Sequence, residues 1–202
     1  MKRSQLIREV VEILALALVI FLVVRFVVQS YRVDEPGMQP GLVTNEFVMV
    51  NKLAYVFQEP ERGDVIVFHS PRDVHQDFIK RVIGLPGDTV TVDREHVTVN
   101  GKLLTETYIS APYNQEGQSW QVPAGQYFVM GDNRPRSDDS RSWGFVPKDY
   151  LVGKAALVFW PFNTIHFINT FSDTYKEIPA PKKTAAHTIS GKQAMQVVKA
   201  RH

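Results

Sequence analysis

The chain has 202 residues, of which 44% are hydrophobic and 22% are charged, so it is long enough for one folded domain with additional segments. Its formal net charge of +2 gives no reason to expect a nucleic-acid partner. It contains no cysteine, which excludes a disulfide framework, a thiolate nucleophile and a zinc ribbon.

The N-terminal segment predicts a membrane-spanning helix. The run from Val10 to Val28 is apolar except for Glu12 and Arg25, and about 20 such residues span a bilayer. Basic residues precede the run, so we expect residues 1–9 in the cytoplasm, the anchor at 10–29 and the remainder outside. A buried core helix and a cleaved signal peptide are the alternatives, although no small-x-small site follows the run. The lipid bilayer is therefore an expected partner of a single-pass cell-membrane protein.

Short segments rich in Val, Phe and Ile follow the anchor and are bounded by Gly, Pro and Asp. This pattern predicts a mainly β fold, a barrel or folded sandwich, over residues 30–171, without a long helix. Asn100-Gly101 predicts a tight turn, and the segment from Asp93 to Glu95 predicts the turn of the preceding hairpin. From Ser172 the composition becomes polar and basic, which predicts a disordered tail over residues 172–202.

One predicted strand, DFIKRVIG, carries two adjacent cations within an apolar pattern. Alternation places Lys80 and Arg81 on opposite faces of the strand, each between two apolar side chains. A Lys held against an apolar surface loses hydration, which favours the neutral amine that a general base requires. Alternation alone leaves open that one of these cations only extends to solvent at a sheet edge.

The segment MGDNRPRSDDSRSWGFVP predicts a polar loop after an apolar strand. Its alternating Asp and Arg residues can lock a loop through charge-assisted hydrogen bonds, and a solvated charged loop is the alternative. Trp143 and Phe145 favour the locked loop, since both should pack against the core. The six His residues are scattered without helical pairing or an acidic cluster, so we expect neither a metal site nor a cofactor.

Four blocks of the chain, in this order, resemble the type I signal peptidases: GMQPGL, RGDVIVF, KRVIGLPGD and MGDNRPRSDDSRSWGFVP. The resemblance extends from the anchor to about Phe162. It implies a membrane-anchored Ser–Lys protease that removes signal peptides from exported preproteins. The implied partners are those signal peptides and the bilayer, with no metal, cofactor or nucleic acid.

The resemblance also implies a role for each matching residue. Lys80 matches the general base and Ser137 the hydroxyl that hydrogen-bonds and orients it, whereas Arg81 packs. The supporting positions are the nucleophile loop at Met38 and Pro40, the strand end at Gly131 and Asp132, and a bracing charged pair, Asp139 and Arg141.

The nucleophile position departs from the family pattern. The Ser of the family stands immediately before Met38, and here that position is Gly37, which has no atom able to attack a carbonyl. Two residues earlier, on the oxyanion side, family members carry Ser or Gly, whereas this chain carries Glu35, whose charge would repel a developing oxyanion.

Two functions therefore stay open. The first is a signal peptidase whose Ser has been lost recently or artificially, and the retained Lys80 and Ser137 favour it. The second is a catalytically dead pseudopeptidase that binds signal peptides or export partners, and Glu35 favours it. Whether the chain is an active enzyme therefore stays open.

Overall fold

The structure is a computed structural model that describes residues 2–112 and 117–181. An N-terminal helix leads into two antiparallel sheets, which is the mainly β fold class that the sequence predicts. The helices are α1 (Lys2–Val27), α2 (Ala54–Phe57), α3 (Ser140–Trp143) and α4 (Ser172–Tyr175). The strands are β1 (Val28–Arg32), β2 (Phe47–Asn51), β3 (Val65–His69), β4 (Asp77–Gly84), β5 (Thr89–Val92), β6 (Val97–Val99), β7 (Lys102–Leu103), β8 (Gln118–Gln121), β9 (Gln126–Met130), β10 (Val146–Pro147), β11 (Leu151–Trp160) and β12 (His166–Phe167).

Helix α1 is long and apolar enough to cross a membrane. The segment Gln5–Val27 has a mean hydropathy of 2.8, and none of its described side chains is buried against the rest of the protein. The helix ends at Val27, two residues before the predicted end of the anchor. The reason is that Val28 and Gln29 already pair with strand β2, so the β domain begins at Val28 rather than at residue 30.

The larger sheet has the strand order β1-β2-β11-β3-β4-β9-β10, with β12 pairing on β11. Its central strand β3 is buried from Val65 to Phe68, which explains why that segment is apolar without alternation. The smaller sheet has the order β7-β6-β5-β8, and its strand β5 alternates as a strand with one covered face does, with Val90 and Val92 buried.

The prediction of a disordered tail from Ser172 is wrong for the part that the structure describes. Tyr175 and Ile178 are buried in the core beside the smaller sheet, and the Tyr175 hydroxyl lies 2.6 Å from that of Tyr108. Two isolated apolar residues in a polar segment form no periodic pattern, so the composition of the segment did not predict that they are buried. The remainder of the predicted tail, residues 182–202, lies outside the described residues.

Candidate active site

Gly37 lies in a short 3₁₀ turn, Pro36–Met38, which is fixed to the domain on two sides. Met38 is only 2% exposed and packs into the core of the larger sheet. On the other side, the Asn133 backbone N–H donates to the Gly37 carbonyl at 2.9 Å, and its side-chain amide donates to the Pro36 carbonyl at 3.1 Å. Pro40 is exposed and follows a cis peptide bond. The loop around Gly37 is thus held in one position relative to the strand ends.

The backbone at Gly37 directs an added side chain toward Lys80. A Cβ atom at this position would lie 2.9 Å from Lys80 Nζ, 3.5 Å from Ser137 Oγ and 3.7 Å from the Arg136 carbonyl oxygen. Gly37 does not have the positive φ that would require glycine. The only close contact is with the flexible end of Lys80, so a small residue fits if that amine moves by a few tenths of an ångström.

Lys80 lies on strand β4 opposite Ile66 of β3, and its side chain is 2% exposed. Its Nζ lies 3.4 Å from Glu35 Oε2 and 5.5 Å from the centre of the Phe78 ring. Glu35 itself is half exposed at the N-terminal end of the Gly37 turn. Lys80 therefore does not extend to solvent, and the amine is partnered by a carboxylate that the family pattern does not have.

Ser137 lies on the other side of the space beside Gly37. Its Oγ is buried and makes no hydrogen bond to the described residues, so the expected hydrogen bond to Lys80 is not formed in the structure. The carboxylate of Glu35 offers the Lys80 amine a charged partner instead. Gly131 is required by space, since a Cβ there would lie 2.3 Å from both the Gly37 carbonyl oxygen and Ser137 Oγ.

The loop that carries Ser137 is locked by the pair of Asp139 and Arg141. Two hydrogen bonds of 2.7 Å join their side chains, both of which are almost fully buried. Asp139 also accepts from the backbone N–H of Gly131 at 3.0 Å, which connects the loop to the end of β9. Trp143 packs on Phe68 of β3, so the aromatic side chains hold this loop to the core.

Arg81 points away from Lys80 and is buried as well, at 2% exposure. It forms two hydrogen bonds with Asp132, at 2.8 and 2.7 Å, and donates to the carbonyls of Gly63 and Asn169. Its guanidinium lies 4.6 Å from the centre of the Tyr108 ring. Burial alone would lower the pKa of Arg81, but the hydrogen bonds and charge of Asp132 outweigh it and raise that pKa above its usual value. Arg81 is thus a buried cation that is paired with Asp132.

Sequence reasoning missed a second buried pair near the site. Arg134 and Glu106 are almost fully buried, and Arg134 Nη1 donates to Glu106 Oε2 at 2.9 Å. Burial would lower the pKa of Arg134, but Glu106 raises it. The two residues are far apart in the chain, and no local pattern connects them. The same holds for Asn133, which contacts Pro36 across a separation of 97 residues.

A cleft of about 490 Å³ opens beside Gly37 and Lys80. One wall of the cleft is formed by residues 30–35 and the other by residues 75–80. Gly37 and Met38 also line it. Strand β9 pairs with β4 only from Arg81 onward, so residues 77–80 bond to β3 on one side and face the cleft on the other. An exposed strand edge of this kind accepts an extended peptide. Within the part of the chain described, no group of His, Asp and Glu side chains could hold a metal ion.

Comparisons with known proteins show the family of this chain. The family model described as "Signal peptidase, peptidase S26" matches residues 6–160. Signal peptidase I of Leptolyngbya laminosa is 39% identical over 172 residues, which cover 81% of this chain and 85% of that protein. Probable signal peptidase I-2 of Synechocystis is 44% identical over 141 residues, covering 67% of this chain and 65% of its own length.

A solved signal peptidase I from Enterococcus faecalis is 39% identical, with a TM-score of 0.44, and the match covers 48% of this chain and 97% of that one. The extent of the family match and the identity to the Leptolyngbya laminosa protein establish the relationship. The chain belongs to the type I signal peptidase family.

Proposed function

We propose that this protein is a Ser–Lys signal peptidase for exported preproteins at the outer face of the cell membrane, with a catalytic site that is intact except for its nucleophile. Lys80 is the general base, Ser137 orients its amine once Glu35 releases it, and Gly37 occupies the position of the nucleophile. As it stands, the chain forms no acyl-enzyme, because position 37 offers no attacking oxygen.

One observation carries this proposal. A Cβ built at Gly37 would lie 2.9 Å from Lys80 Nζ and 3.5 Å from Ser137 Oγ. A hydroxyl on that carbon would lie within hydrogen-bonding reach of an amine that is itself shielded from water. The fixed turn at Gly37, the locked loop that carries Ser137 and the close packing at Gly131 keep position 37 close to the Ser137 hydroxyl.

The binding-protein alternative rests on a different observation. Glu35 partners the Lys80 amine at 3.4 Å, which gives the buried charge a counter-ion in a chain without a nucleophile. Such a pair suits a protein that retains the cleft for binding alone. Restoring the hydroxyl at position 37 distinguishes the two readings, because only an otherwise intact catalytic site will then cleave.

The cleft should select peptides with small side chains. In the family, a peptide adds as a strand beside the nucleophile loop, and small residues enter shallow pockets near the cut. We expect a signal-peptide analogue with Ala at those two positions to bind at least ~10-fold more tightly than one with Trp at both, a difference of about 1.4 kcal/mol. Titration of the detergent-solubilised full chain measures this. Equal affinities would argue against a peptide cleft.

Helix α1 should anchor the protein with the β domain outside the cell. The segment Gln5–Val27 has the length and hydropathy of a membrane span, so the full chain should remain with membranes after carbonate extraction. In spheroplasts, an epitope after residue 181 should be accessible to external protease. Release by carbonate, or protection of the epitope, would contradict the proposed topology.

A further inference from the structure

Two side-chain nucleophiles lie beside position 37, the amine of Lys80 and the hydroxyl of Ser137, and of these two only Lys80 lines the cleft. Ser30, Tyr31 and His75 also line the cleft and carry nucleophilic atoms, but none of these atoms is among the three nearest to a Cβ built at Gly37. Burial and the neighbouring Asp77 also raise the pKa of Tyr31 to about 12. Its phenol therefore stays protonated at neutral pH. The amine of Lys80, by contrast, belongs to a side chain that borders the cleft at the point toward which the Gly37 backbone is directed.

The residue at position 37 determines which nucleophile lies next to the carbonyl group of a bound ligand. In a family member, the nucleophile's side chain separates the Lys from the substrate. A Cβ at Gly37 would already approach Lys80 Nζ to 2.9 Å, and Gly37 itself has no side chain to stand between that amine and the cleft. A carbonyl carbon held beside position 37 thus faces the amine itself.

A group able to move the necessary protons lies beside this amine. Glu35 Oε2 is 3.4 Å from Lys80 Nζ, and the Glu35 side chain is half exposed to the cleft. A carboxylate at this distance can accept a proton from the ammonium group and deliver it to a leaving hydroxyl. Amine, carboxylate and cleft together form the arrangement that imine formation at a Lys requires.

We propose that Lys80 captures an aldehyde in the cleft as a Schiff base, the preferred ligand being a short peptide that ends in an aldehyde. The neutral amine attacks the carbonyl carbon and gives a carbinolamine. Glu35 donates a proton to its hydroxyl, water leaves, and a C=N bond remains. One amine and one aldehyde become one imine and one water, without oxidation or reduction. The preference for a peptide aldehyde rests on the proposed function of the cleft.

Reductive trapping tests this directly. The full chain in detergent is incubated at mildly alkaline pH with a tripeptide aldehyde carrying Ala at the two small-residue positions. Sodium cyanoborohydride then converts any imine to a stable secondary amine, which peptide mass mapping locates. Because binding concentrates the aldehyde beside one amine, Lys80 should be modified at least ~10-fold more than the exposed Lys176 of the same sample.

Three controls connect the modification to the site. An excess of the corresponding peptide alcohol should suppress labelling of Lys80 and leave Lys176 unaffected. Gly37→Ser should reduce Lys80 labelling, since the new hydroxyl takes the aldehyde as a hemiacetal that the reagent does not trap. Glu35→Gln should slow labelling several-fold, because an amide cannot carry the proton; an unchanged rate would overturn the role given to Glu35.

Labelling of Lys80 at or below the level of Lys176, or labelling that the peptide alcohol does not suppress, would overturn the proposal. The result of the labelling experiment can be distinguished from the result that tests the proposed function. Cleavage of a preprotein by the Gly37→Ser variant together with an unlabelled Lys80 would reject the Schiff base alone. A labelled Lys80 with an inactive Gly37→Ser variant would reject the hydrolytic site and retain the Schiff base.

Discussion

A Gly37→Ser variant should cleave a preprotein that the unsubstituted protein leaves intact. The new hydroxyl would stand between Lys80 and the bound peptide, with Ser137 beside it, which completes a nucleophile and its base. Loss of a nucleophile typically removes many powers of ten in rate, so we expect a gain of at least ~10³-fold over the unsubstituted chain. Gel analysis of a purified preprotein, with sequencing of the new N-terminus, measures it.

Two variants control this experiment. Gly37→Ala adds the same Cβ against Lys80 without a hydroxyl and should stay inactive. This control distinguishes the effect of the hydroxyl from that of a stiffer loop. Adding Lys80→Met to Gly37→Ser should abolish the activity again. A folded Gly37→Ser protein without activity would favour the binding-protein alternative. Cleavage by the unsubstituted chain that disappears with Lys80→Met would refute the account of the nucleophile.

Removing the carboxylate that pairs with Arg81 should destabilise the domain strongly. Asp132→Ala leaves a guanidinium of 2% exposure without its counter-ion, and breaking a buried pair in this way costs about 3–5 kcal/mol of the free energy of unfolding. Urea unfolding of the detergent-solubilised chain at neutral pH measures the change.

An exposed ion pair provides the matched control for that prediction. Arg32 and Asp34 are 2.9 Å apart, but both side chains are more than half exposed, so Asp34→Ala should cost less than about 1 kcal/mol. If Asp132→Ala and Asp34→Ala cost the same, the buried pair does not have the structural role that its geometry indicates.

Local sequence patterns predicted the strands and turns because these depend on neighbouring residues. Asn100 and Gly101 both have positive φ, as the turn chemistry of Asn-Gly requires. Alternation also placed Lys80 and Arg81 on opposite faces of β4. It did not reveal that both faces are covered, since the Gly37 turn approaches one and Tyr108 and Phe171 pack over the other.

The contacts that complete the site depend on pairs that are distant in the chain. Asn133 holds the carbonyls of Pro36 and Gly37, and Glu106 neutralises Arg134. No composition or period in the sequence indicates either pairing. The partnership of Glu35 with Lys80 is of the same kind, because sequence comparison showed an unexpected carboxylate but not that it reaches the amine.

The reactivity of a thiol at position 37 tests most directly whether this position faces the Lys80 amine. The chain has no cysteine of its own, so a Gly37→Cys variant carries a single thiol. An ammonium group next to a thiol stabilises the reactive thiolate. The measurement is the rate of alkylation by iodoacetamide at neutral pH, with and without an added Lys80→Met substitution in the folded protein.

If position 37 is the nucleophile position, alkylation of the Gly37→Cys variant should be faster than that of a model peptide thiol. The added Lys80→Met should lower the rate by about 10-fold, since the thiol then loses its cationic neighbour. A rate equal to that of the model thiol and unchanged by Lys80→Met would contradict the central claim, because the side chain at position 37 would then not meet Lys80.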